Sequence, residues 1–401
     1  MTKLDLDFVR SQFPAFSEPG LSNQSFFENA GGSYACAPVI DRLTRFYRQR
    51  KVQPYGPYPA AQAGGAEMDE ARSRLAALMG VKTHEVSFGP STSANTFVLA
   101  NAVRKWLQPG EVIVVTNQDH EANSGVWRRL ADEGIVVREW CVDPETGHLD
   151  PADLDDLLDG ARLLCFPHCS NVVAEINDVT AISARAHAAG AFVIVDGVSY
   201  APHGLPDVGA LGCDVYMFSA YKVYGPHQGI MVVREDFGMT LPNQGHYFNG
   251  DSLYKRFTPA GPDHAQIAAS AGMVDYFDAL ATHHGLAGGA AAHDLMRNHE
   301  IALMQPLLDY LGGLNSVRLL GPNTAEDRAP TFALELAGSG EEASEKLGKL
   351  GINCWGGDFY AVRPLQAMGI DLNKGVLRVS FVHYTSAEDI QKLIEGLDQV
   401  L

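Results

Sequence analysis

Short runs of apolar residues, each stopped by a polar or glycine-containing turn, recur through the first half of the chain. Residues 192–195 form one such run and stop at Asp196, and residues 215–218 form another and stop at Ser219. Runs of about four to eight apolar residues between turn signals are typical of buried strands in a parallel sheet. Stretches with helical spacing separate these runs. The repeated β-α-β alternation predicts an α/β fold with helices on both faces of a mostly parallel sheet.

The pattern changes near residue 284, after which shorter strands alternate with helices in a manner typical of an α+β domain. The sequence therefore predicts three parts: an N-terminal segment over residues 1–25 that packs with the small domain, a large domain over 26–283, and a small domain over 284–401. The predicted strands are one that ends at Phe88, then 111–115, 135–137, 163–166, 192–195, 215–218, 317–320, 331–336 and 376–381. The predicted helices are 5–13, 67–78, 97–103, 151–158, 181–189, 265–280, 287–311, 341–350 and 387–397.

Composition narrows the class of protein. A chain of 401 residues with 46% hydrophobic residues and 40 glycines is typical of a globular α/β enzyme. Its net charge of −18 disfavours nucleic acid or an anionic membrane as the main partner. The first residues, MTKLDLDFVR, contain no apolar targeting segment, and no apolar run approaches membrane-spanning length, which predicts a cytoplasmic protein.

The six cysteines do not form a recognisable framework, because none of them belongs to a CxxC pair. Cys165 and Cys169 flank His168, a spacing that invites a metal hypothesis. Cys165 lies inside an apolar run, however, and buried core cysteine is the favoured interpretation. The sequence predicts neither a metal site nor a disulfide framework.

Candidate chemistry lies at the ends of two predicted strands. In open α/β sheets ligands bind beyond the carboxyl ends of the strands, where Asp196 and Lys222 would share one crevice. Taken alone, Asp196 also fits a helix cap, and Lys222 also fits a surface lysine beyond a strand. Together they match pyridoxal phosphate (PLP), whose aldehyde forms a Schiff base with an amine while a carboxylate holds a proton on the ring nitrogen. Neutralising an ordinary lysine at pH 7 costs roughly 4 to 5 kcal/mol, which burial helps to offset.

The motifs around these two residues carry a family resemblance. VDG at 196 and FSAYK followed by YGP at 222 resemble the class V aminotransferase family of PLP enzymes, whose cysteine desulfurase-like branch reads VDGAQ and FSGHK-YGP. The resemblance runs from residue 26 to about residue 401. It implies fold type I, with a large domain built on a mostly parallel sheet of the seven-stranded type and a smaller α+β domain. It also implies a PLP cofactor bound to Lys222 and held at its ring nitrogen by Asp196.

The resemblance also implies which residues face the cofactor phosphate. The family's phosphate loop, R-G-T-T-E-A, falls on a turn and helix start at residues 89–96, making Ser91, Thr92 and Ser93 candidates. A helix start is itself a good anion site, although serine and threonine also serve there as plain helix caps. Ser219 keeps its phosphate-binding position, and Tyr221 replaces the family's histidine as a donor.

Further motifs imply contacts with the cofactor ring. The family's E-H-x-A-N motif resembles residues 119–123, so His120 would stack on the pyridine ring. H-x-S-N-V resembles residues 168–172, so Asn171 would donate to the phenolic oxygen. Ser199, a shorter donor to the same oxygen, replaces the family's glutamine.

Substrate contacts are implied at both ends of the chain. Residues 26–32 stand where the family reads L-D-N-A-A and lines the substrate pocket, which makes Asn29 and Gly31 candidates. Arg378 matches the family's R-x-S arginine, which grips the substrate carboxylate. Desulfurases carry a nucleophilic cysteine in R-x-G-H-H-C-A, where this chain has Tyr360. Cys354 lies six residues earlier, so the sequence predicts no persulfide-forming desulfurase.

The reaction stays open at this point. The favoured hypothesis is a class V aminotransferase-like PLP enzyme acting on an α-amino acid, and the alternative is a PLP lyase that eliminates a β-substituent such as sulfur. A PLP-binding protein without activity fits less well because Lys222, Asp196, His120 and Arg378 are all present. A nicotinamide-linked dehydrogenase fits poorly, since no G-x-G-x-x-G follows a strand. The resemblance alone predicts a homodimer with shared active sites, although the family's threonine that reaches the partner's phosphate is missing at residues 260–263.

Overall fold

The computed structural model describes residues 3–401 of the chain. Its strands are β1 (Ser25–Phe26), β2 (Val86–Gly89), β3 (Val112–Thr116), β4 (Val136–Trp140), β5 (Ala161–Pro167), β6 (Phe192–Asp196), β7 (Val215–Ser219), β8 (Gly229–Val233), β9 (Val317–Leu319), β10 (Thr331–Leu336), β11 (Ile352–Asn353), β12 (Trp355–Gly357) and β13 (Val376–Ser380). Its helices are α1 (Leu6–Ser11), α2 (Ala37–Gln49), α3 (Pro59–Leu78), α4 (Thr92–Trp106), α5 (Glu121–Arg128), α6 (Leu154–Leu158), α7 (Val179–Ala188), α8 (Glu235–Gly238), α9 (Leu253–Arg256), α10 (His264–Ala269), α11 (Ala271–His283), α12 (Ala292–Gly312), α13 (Gly340–Lys349), α14 (Val362–Ala367) and α15 (Ala387–Val400).

The large sheet has seven strands in the order β2-β8-β7-β6-β5-β3-β4. All neighbours pair in parallel except β8, which runs antiparallel to both β2 and β7. Alternate residues of β5 enter different cores: Leu164 packs in one buried cluster and Leu163 in another. Both faces of this sheet are therefore covered, which explains why its strands are continuous apolar runs. The predicted α/β class with a mostly parallel seven-stranded sheet is confirmed.

Several predicted element bounds are wrong. Helix α3 begins at Pro59, eight residues before the predicted start, because the small residues that fill its first turns carry no amphipathic signal. The helix predicted over 265–280 is two helices that meet at Ser270, whose hydroxyl donates to Gln228 Oε1 at 2.9 Å and to the Gln266 carbonyl at 3.0 Å. Strand β8 was not predicted at all, although its sequence, GIMVV, is an apolar run.

The C-terminal region contains a four-stranded antiparallel sheet in the order β12-β13-β10-β9. Strand β1 pairs in parallel with β11, and the Ser380 N–H then donates to the Phe27 carbonyl at 2.7 Å. Arg10 of the N-terminal segment forms an ion pair with Asp389 of α15. Residues 25–29 are therefore held beside β13, which carries Arg378. The exact three-part domain division stays a prediction.

The parallel strands bring their carboxyl ends to one edge of the large sheet. β3, β5, β6 and β7 all point their last residues there, so the segments that follow them meet above this edge. The start of α4 lies beside β8, since a Cβ built on Gly229 would fall 2.6 Å from the Thr92 nitrogen. Among residues 3–401, no helix combines the length and apolar character needed to cross a membrane.

Candidate active site

One cavity at this edge collects most of the residues singled out from the sequence. It is lined by Thr92, Ser93, Asp119, His120, Ala122, Pro167, Cys169, Asn171, Asp196, Val198, Ser199, Ser219, Tyr221 and Lys222. Of the residues predicted to face a cofactor, only Ser91 is outside this lining. Its hydroxyl accepts the Ala94 N–H at 3.1 Å and caps α4.

Lys222 is the reactive amine of the cavity. It follows β7 in a short 3-10 turn, and only 8% of its surface is exposed. Burial lowers the pKa of Lys222 to about 8, helped by the positive charge of Arg378 and opposed by Asp196 and Glu28. At pH 7 roughly 10% of such an amine is neutral, against less than about 0.1% for an ordinary lysine.

Asp196 is the carboxylate of the cavity. It is the last residue of β6, the strand next to β7, and its Oδ1 accepts the Val198 N–H at 2.8 Å. Burial raises the pKa of Asp196 to about 6, while the Val198 N–H and the charge of Lys222 oppose that rise. The site therefore holds a buried acid and a buried amine whose pKa values have moved toward each other.

His120 borders the cavity at the start of α5. Its Nδ1 accepts the Ala122 N–H at 3.1 Å, which fixes the orientation of the ring. Burial, with the charges of Lys222 and Arg378, lowers the pKa of His120 to about 4. The imidazole is therefore neutral at pH 7, as a ring that stacks on another aromatic ring should be.

A second buried carboxyl, Asp119, lies next to His120 in the chain. Asn123 Nδ2 donates to its Oδ2 at 3.1 Å, while Oδ1 has no hydrogen-bond partner within residues 3–401. Burial, together with the charge of Asp196, raises the pKa of Asp119 well above its ordinary value. Sequence reasoning noted Asp119 only as a motif position and missed it as a site residue.

Hydroxyl groups and a helix start define one end of the cavity. The hydroxyls of Thr92 and Ser219 form a hydrogen bond of 2.8 Å, which connects the start of α4 to the end of β7. Because α4 begins at Thr92, the N–H groups of its first turn have no acceptor inside the helix. The 15-residue helix also directs the positive end of its dipole to this point. Tyr221, whose ring stacks on His227 with centroids 4.7 Å apart, completes this end.

A tight loop at residues 358–361 closes the other end. Phe359 and Tyr360 both have a φ of 55°, which is unusual for residues other than glycine. Asn171 Nδ2 donates to the Phe359 carbonyl at 3.0 Å, and the Glu121 N–H donates to the Tyr360 carbonyl at 2.8 Å. The Tyr360 ring lies 5.5 Å from that of His120. The predicted site residues Asn171, His120 and Tyr360 are thus neighbours.

Arg378 approaches the site from β13 and is almost fully buried. Its Nη1 donates to the Asn171 carbonyl at 3.2 Å, and its guanidinium carbon lies 3.8 Å from the centre of the Phe359 ring. Its Nη2 donates to Glu28 Oε1 at 2.6 Å. Sequence reasoning missed Glu28, although it stands next to Asn29, which it did select.

Asn29 and Gly31 lie beside this ion pair. The Asn29 amide is occupied by protein groups at both ends: Nδ2 donates to the Ser380 carbonyl at 3.1 Å, and Oδ1 accepts from the Tyr384 hydroxyl. Gly31 lies against the Glu28 side chain, where a Cβ would fall 2.5 Å from Oε1. Their predicted substrate contacts stay predictions, and for Asn29 the structure gives both amide groups a structural partner.

A sequence profile of the family described as "Aminotransferase class-V" matches residues 25–393. The chain belongs to the class V aminotransferase family. It is 32% identical to the aminotransferase-like protein FGM3 of Gibberella zeae, over all of this chain and 99% of that protein. It is 29% identical to a cysteine desulfurase of Serratia proteamaculans, with 98% of each chain covered. The resemblance stated from the motifs is confirmed.

Solved structures of cysteine desulfurases share the fold of this class V aminotransferase family member. The apo enzyme of Thermococcus onnurineus matches with a TM-score of 0.87 and 23% identity, over 100% of this chain and 98% of that chain. CsdA of Escherichia coli, in its S-sulfonic acid form, matches with a TM-score of 0.83 and 22% identity, over 99% and 98%. The predicted fold type I is confirmed, as is the prediction of an enzyme of the PLP-dependent aminotransferase or lyase kind. Family members depend on PLP and use amino-acid substrates.

Proposed function

We propose that this chain is a PLP-dependent enzyme that acts on an α-amino acid through Lys222, with transamination as its reaction. One observation carries the proposal: Lys222 and Asp196 follow adjacent parallel strands into the same buried cavity. A buried amine paired with a buried carboxylate is what this cofactor needs at its aldehyde and at its ring nitrogen.

The residues of the cavity fit PLP in their chemistry. Thr92, Ser93 and Ser219, with the free N–H groups of α4, would hold the phosphate. His120 would cover one ring face, Asp196 would hold the ring nitrogen, and Asn171 and Ser199 would serve the phenolic oxygen. Asn171 Nδ2 uses one N–H for the Phe359 carbonyl and would have its second N–H for the phenolic oxygen, while its Oδ1 is buried without a hydrogen-bond partner within residues 3–401. When bound, PLP supplies an aldehyde for the amine and a ring that accepts electrons from the substrate Cα.

Lys222 would carry the proton transfer. Its Nζ would remove the proton from the substrate Cα, and its pKa of about 8 suits a base that works near neutral pH. Asp196 stabilises positive charge opposite this base. The loop at 358–361 lies next to the same space, with the Tyr360 ring 5.5 Å from that of His120.

The chain would not mobilise sulfur by the persulfide route. Tyr360 stands at the position of the desulfurase cysteine, on a loop anchored to Glu121 and Asn171. The cysteine nearest in sequence, Cys354, lies between β11 and β12, and burial raises its pKa to about 12. A thiol with that pKa supplies almost no thiolate at neutral pH.

A lyase that eliminates a β-substituent is the second candidate. The similarity to cysteine desulfurases over 98% of the chain favours it, since elimination of a β-group begins with the same proton transfer to Lys222. The two reactions separate only after that step. In transamination the Lys222 amine would give the proton back, whereas in elimination the β-group would leave first.

The deciding experiment is a visible absorption spectrum of PLP-loaded wild type and Lys222→Ala while L-amino acids are added singly. Loss of a lysine-dependent band that a keto acid restores would establish transamination. A band that persists while ammonia with pyruvate or sulfide is released would establish the lyase. Wild type without any lysine-dependent band would overturn the proposal and leave a protein without PLP chemistry.

We further infer a homodimer that shares its active sites. Aromatic side chains stand exposed on two segments, Tyr55 and Tyr58 on one and Tyr247 and Phe248 on the other, with Tyr247 92% exposed. Burial of such side chains is a common source of interface energy. An equilibrium mass measurement on PLP-loaded protein tests this inference, and a monomer at all concentrations would refute it.

A further inference from the structure

The guanidinium of Arg378 already holds a carboxylate that belongs to the protein. Glu28 Oε1 accepts from Arg378 Nη2 at 2.6 Å, in an ion pair whose side chains are 17% and 4% exposed respectively. The second oxygen of Glu28, Oε2, is buried and has no hydrogen-bond partner within residues 3–401. Glu28 thus sits at the group that the family resemblance assigns to the substrate carboxylate.

The remaining donors of Arg378 offer no ready alternative. Nη1 donates to the Asn171 carbonyl at 3.2 Å, and one face of the guanidinium lies on Phe359. Nε is buried and without a partner among the described residues. An arginine binds a carboxylate bidentately either through Nη2 and Nε or through Nη2 and Nη1. Both bidentate arrangements therefore use Nη2, the nitrogen that already donates to Glu28.

Gly31 makes this arrangement possible. A Cβ at position 31 would lie 2.5 Å from Glu28 Oε1, so alanine there would force the carboxylate away from Arg378. The family motif L-D-N-A-A has aspartate at the position of Glu28 and alanine at that of Gly31. The chain thus departs from the motif at two adjoining positions: glutamate is longer than aspartate and reaches the arginine, and Gly31 lacks the methyl group that would stand in its way.

We propose that Glu28 is a specificity-determining residue that competes with the substrate's α-carboxylate for Arg378. The α-carboxylate of an amino acid binds Arg378 only by displacing Glu28, because two carboxylates at one edge of the guanidinium repel each other. Amines that lack a carboxylate do not face this competition and bind on nearly equal terms with α-amino acids. The inference rests on the proposed function, since it takes Arg378 to border the substrate.

The test compares 2-aminoisobutyrate with tert-butylamine, in which a methyl group replaces the carboxylate. Neither ligand has a hydrogen on the carbon that carries the amine, so neither can undergo transamination. Their dissociation constants are measured by calorimetry on PLP-loaded wild type, Glu28→Gln and Gly31→Ala. Glu133→Gln is the matched control, since it removes one carboxylate from an exposed ion pair with Arg104. The visible spectrum of each sample is recorded alongside.

Wild type and the control should prefer 2-aminoisobutyrate over tert-butylamine by less than about 3-fold. Glu28→Gln should raise that preference by about 10-fold or more, and Gly31→Ala should raise it in the same direction by moving Glu28. An unchanged preference in both variants, or no binding of either ligand to any variant, overturns the inference. A missing lysine-dependent band in wild type instead overturns the proposed function, so the two failures are distinguishable.

Discussion

The backbone N–H of Glu121, the first residue of α5, donates to the carbonyl of Tyr360 at 2.8 Å. This bond joins the helix that follows His120 to the loop that closes the cavity. The same loop is bound a second time, through the Phe359 carbonyl and Asn171 Nδ2 at 3.0 Å. Two neighbouring residues with a φ of 55° persist only because the surrounding contacts hold them there. The loop is therefore held by hydrogen bonds to two of its backbone carbonyls, one donated by the backbone of Glu121 and one by the side chain of Asn171.

Tyr360→Gly should separate the backbone role of Tyr360 from its side-chain role. Glycine relieves about 1 to 2 kcal/mol of left-handed strain, offset by up to about 1 kcal/mol from the freer unfolded chain. The tyrosine side chain is 72% exposed, so little packing is lost. We expect a free energy of unfolding equal to or slightly above that of wild type in urea titrations, with weaker exclusion of water from the cavity. A loss of more than about 2 kcal/mol would mean that the ring itself supports the fold.

Lys222 should make the stability of the cofactor-free protein depend on pH. Its folded pKa of about 8 lies below its ordinary value of 10.5, so unfolding takes up a proton between these values. The penalty for burying a charged lysine is present in full below about pH 8 and disappears as the pH rises toward 10.5. The stability of wild type relative to Lys222→Met should therefore increase by about 3 kcal/mol from pH 7.5 to pH 10.5. Denaturant titrations of both proteins at the two pH values measure this difference, and a constant difference would contradict the lowered pKa.

Gly229→Ala should damage the phosphate end of the cavity. A Cβ on Gly229 would lie 2.3 Å from the Ser91 carbonyl carbon and 2.6 Å from the Thr92 nitrogen, both backbone atoms that cannot rotate away. The start of α4 must move, so we expect a loss of about 1 to 3 kcal/mol in stability and a PLP affinity reduced by about 10-fold or more. Gly338→Ala is the control, since nothing lies within 4 Å of its Cβ position and it is in the C-terminal region, between β10 and α13. Equal PLP affinity in the two variants would place the phosphate elsewhere.

The fold could be predicted from the sequence more completely than the details of the site. The apolar runs that end at Asp196 and Ser219 were enough to predict a parallel sheet. Strands that are covered on both faces have apolar residues at every position, so they stand out in the sequence as continuous runs. The break at Ser270 was not predictable in the same way. It depends on a hydroxyl that bonds to Gln228 of another segment, and no local pattern records that contact.

The candidate site shows the same limit. Motif positions gave Lys222, Asp196 and His120, which the fold brings into one cavity. The partner of Arg378 could not be predicted, because Glu28 reaches it through the pairing of residues 25–29 beside β13, a contact across 350 positions of the chain. Asp119 was visible in its motif, but its importance depends on burial beside Asp196, which a sequence does not report.

Cysteine should leave no persulfide on this protein. The chain has Tyr360 at the position of the desulfurase nucleophile, and burial raises the pKa of Cys354 to about 12. PLP-loaded protein incubated with L-cysteine, then alkylated and analysed by peptide mass spectrometry, should therefore show no persulfide on Cys354. The Cys354→Ser variant should turn over substrates at the wild-type rate. Cys141→Ser provides the control, because Cys141 is an exposed thiol outside the cavity. A persulfide on Cys354 that disappears in Lys222→Ala would show that the loop opens during turnover and that sulfur chemistry survives without a cysteine at position 360.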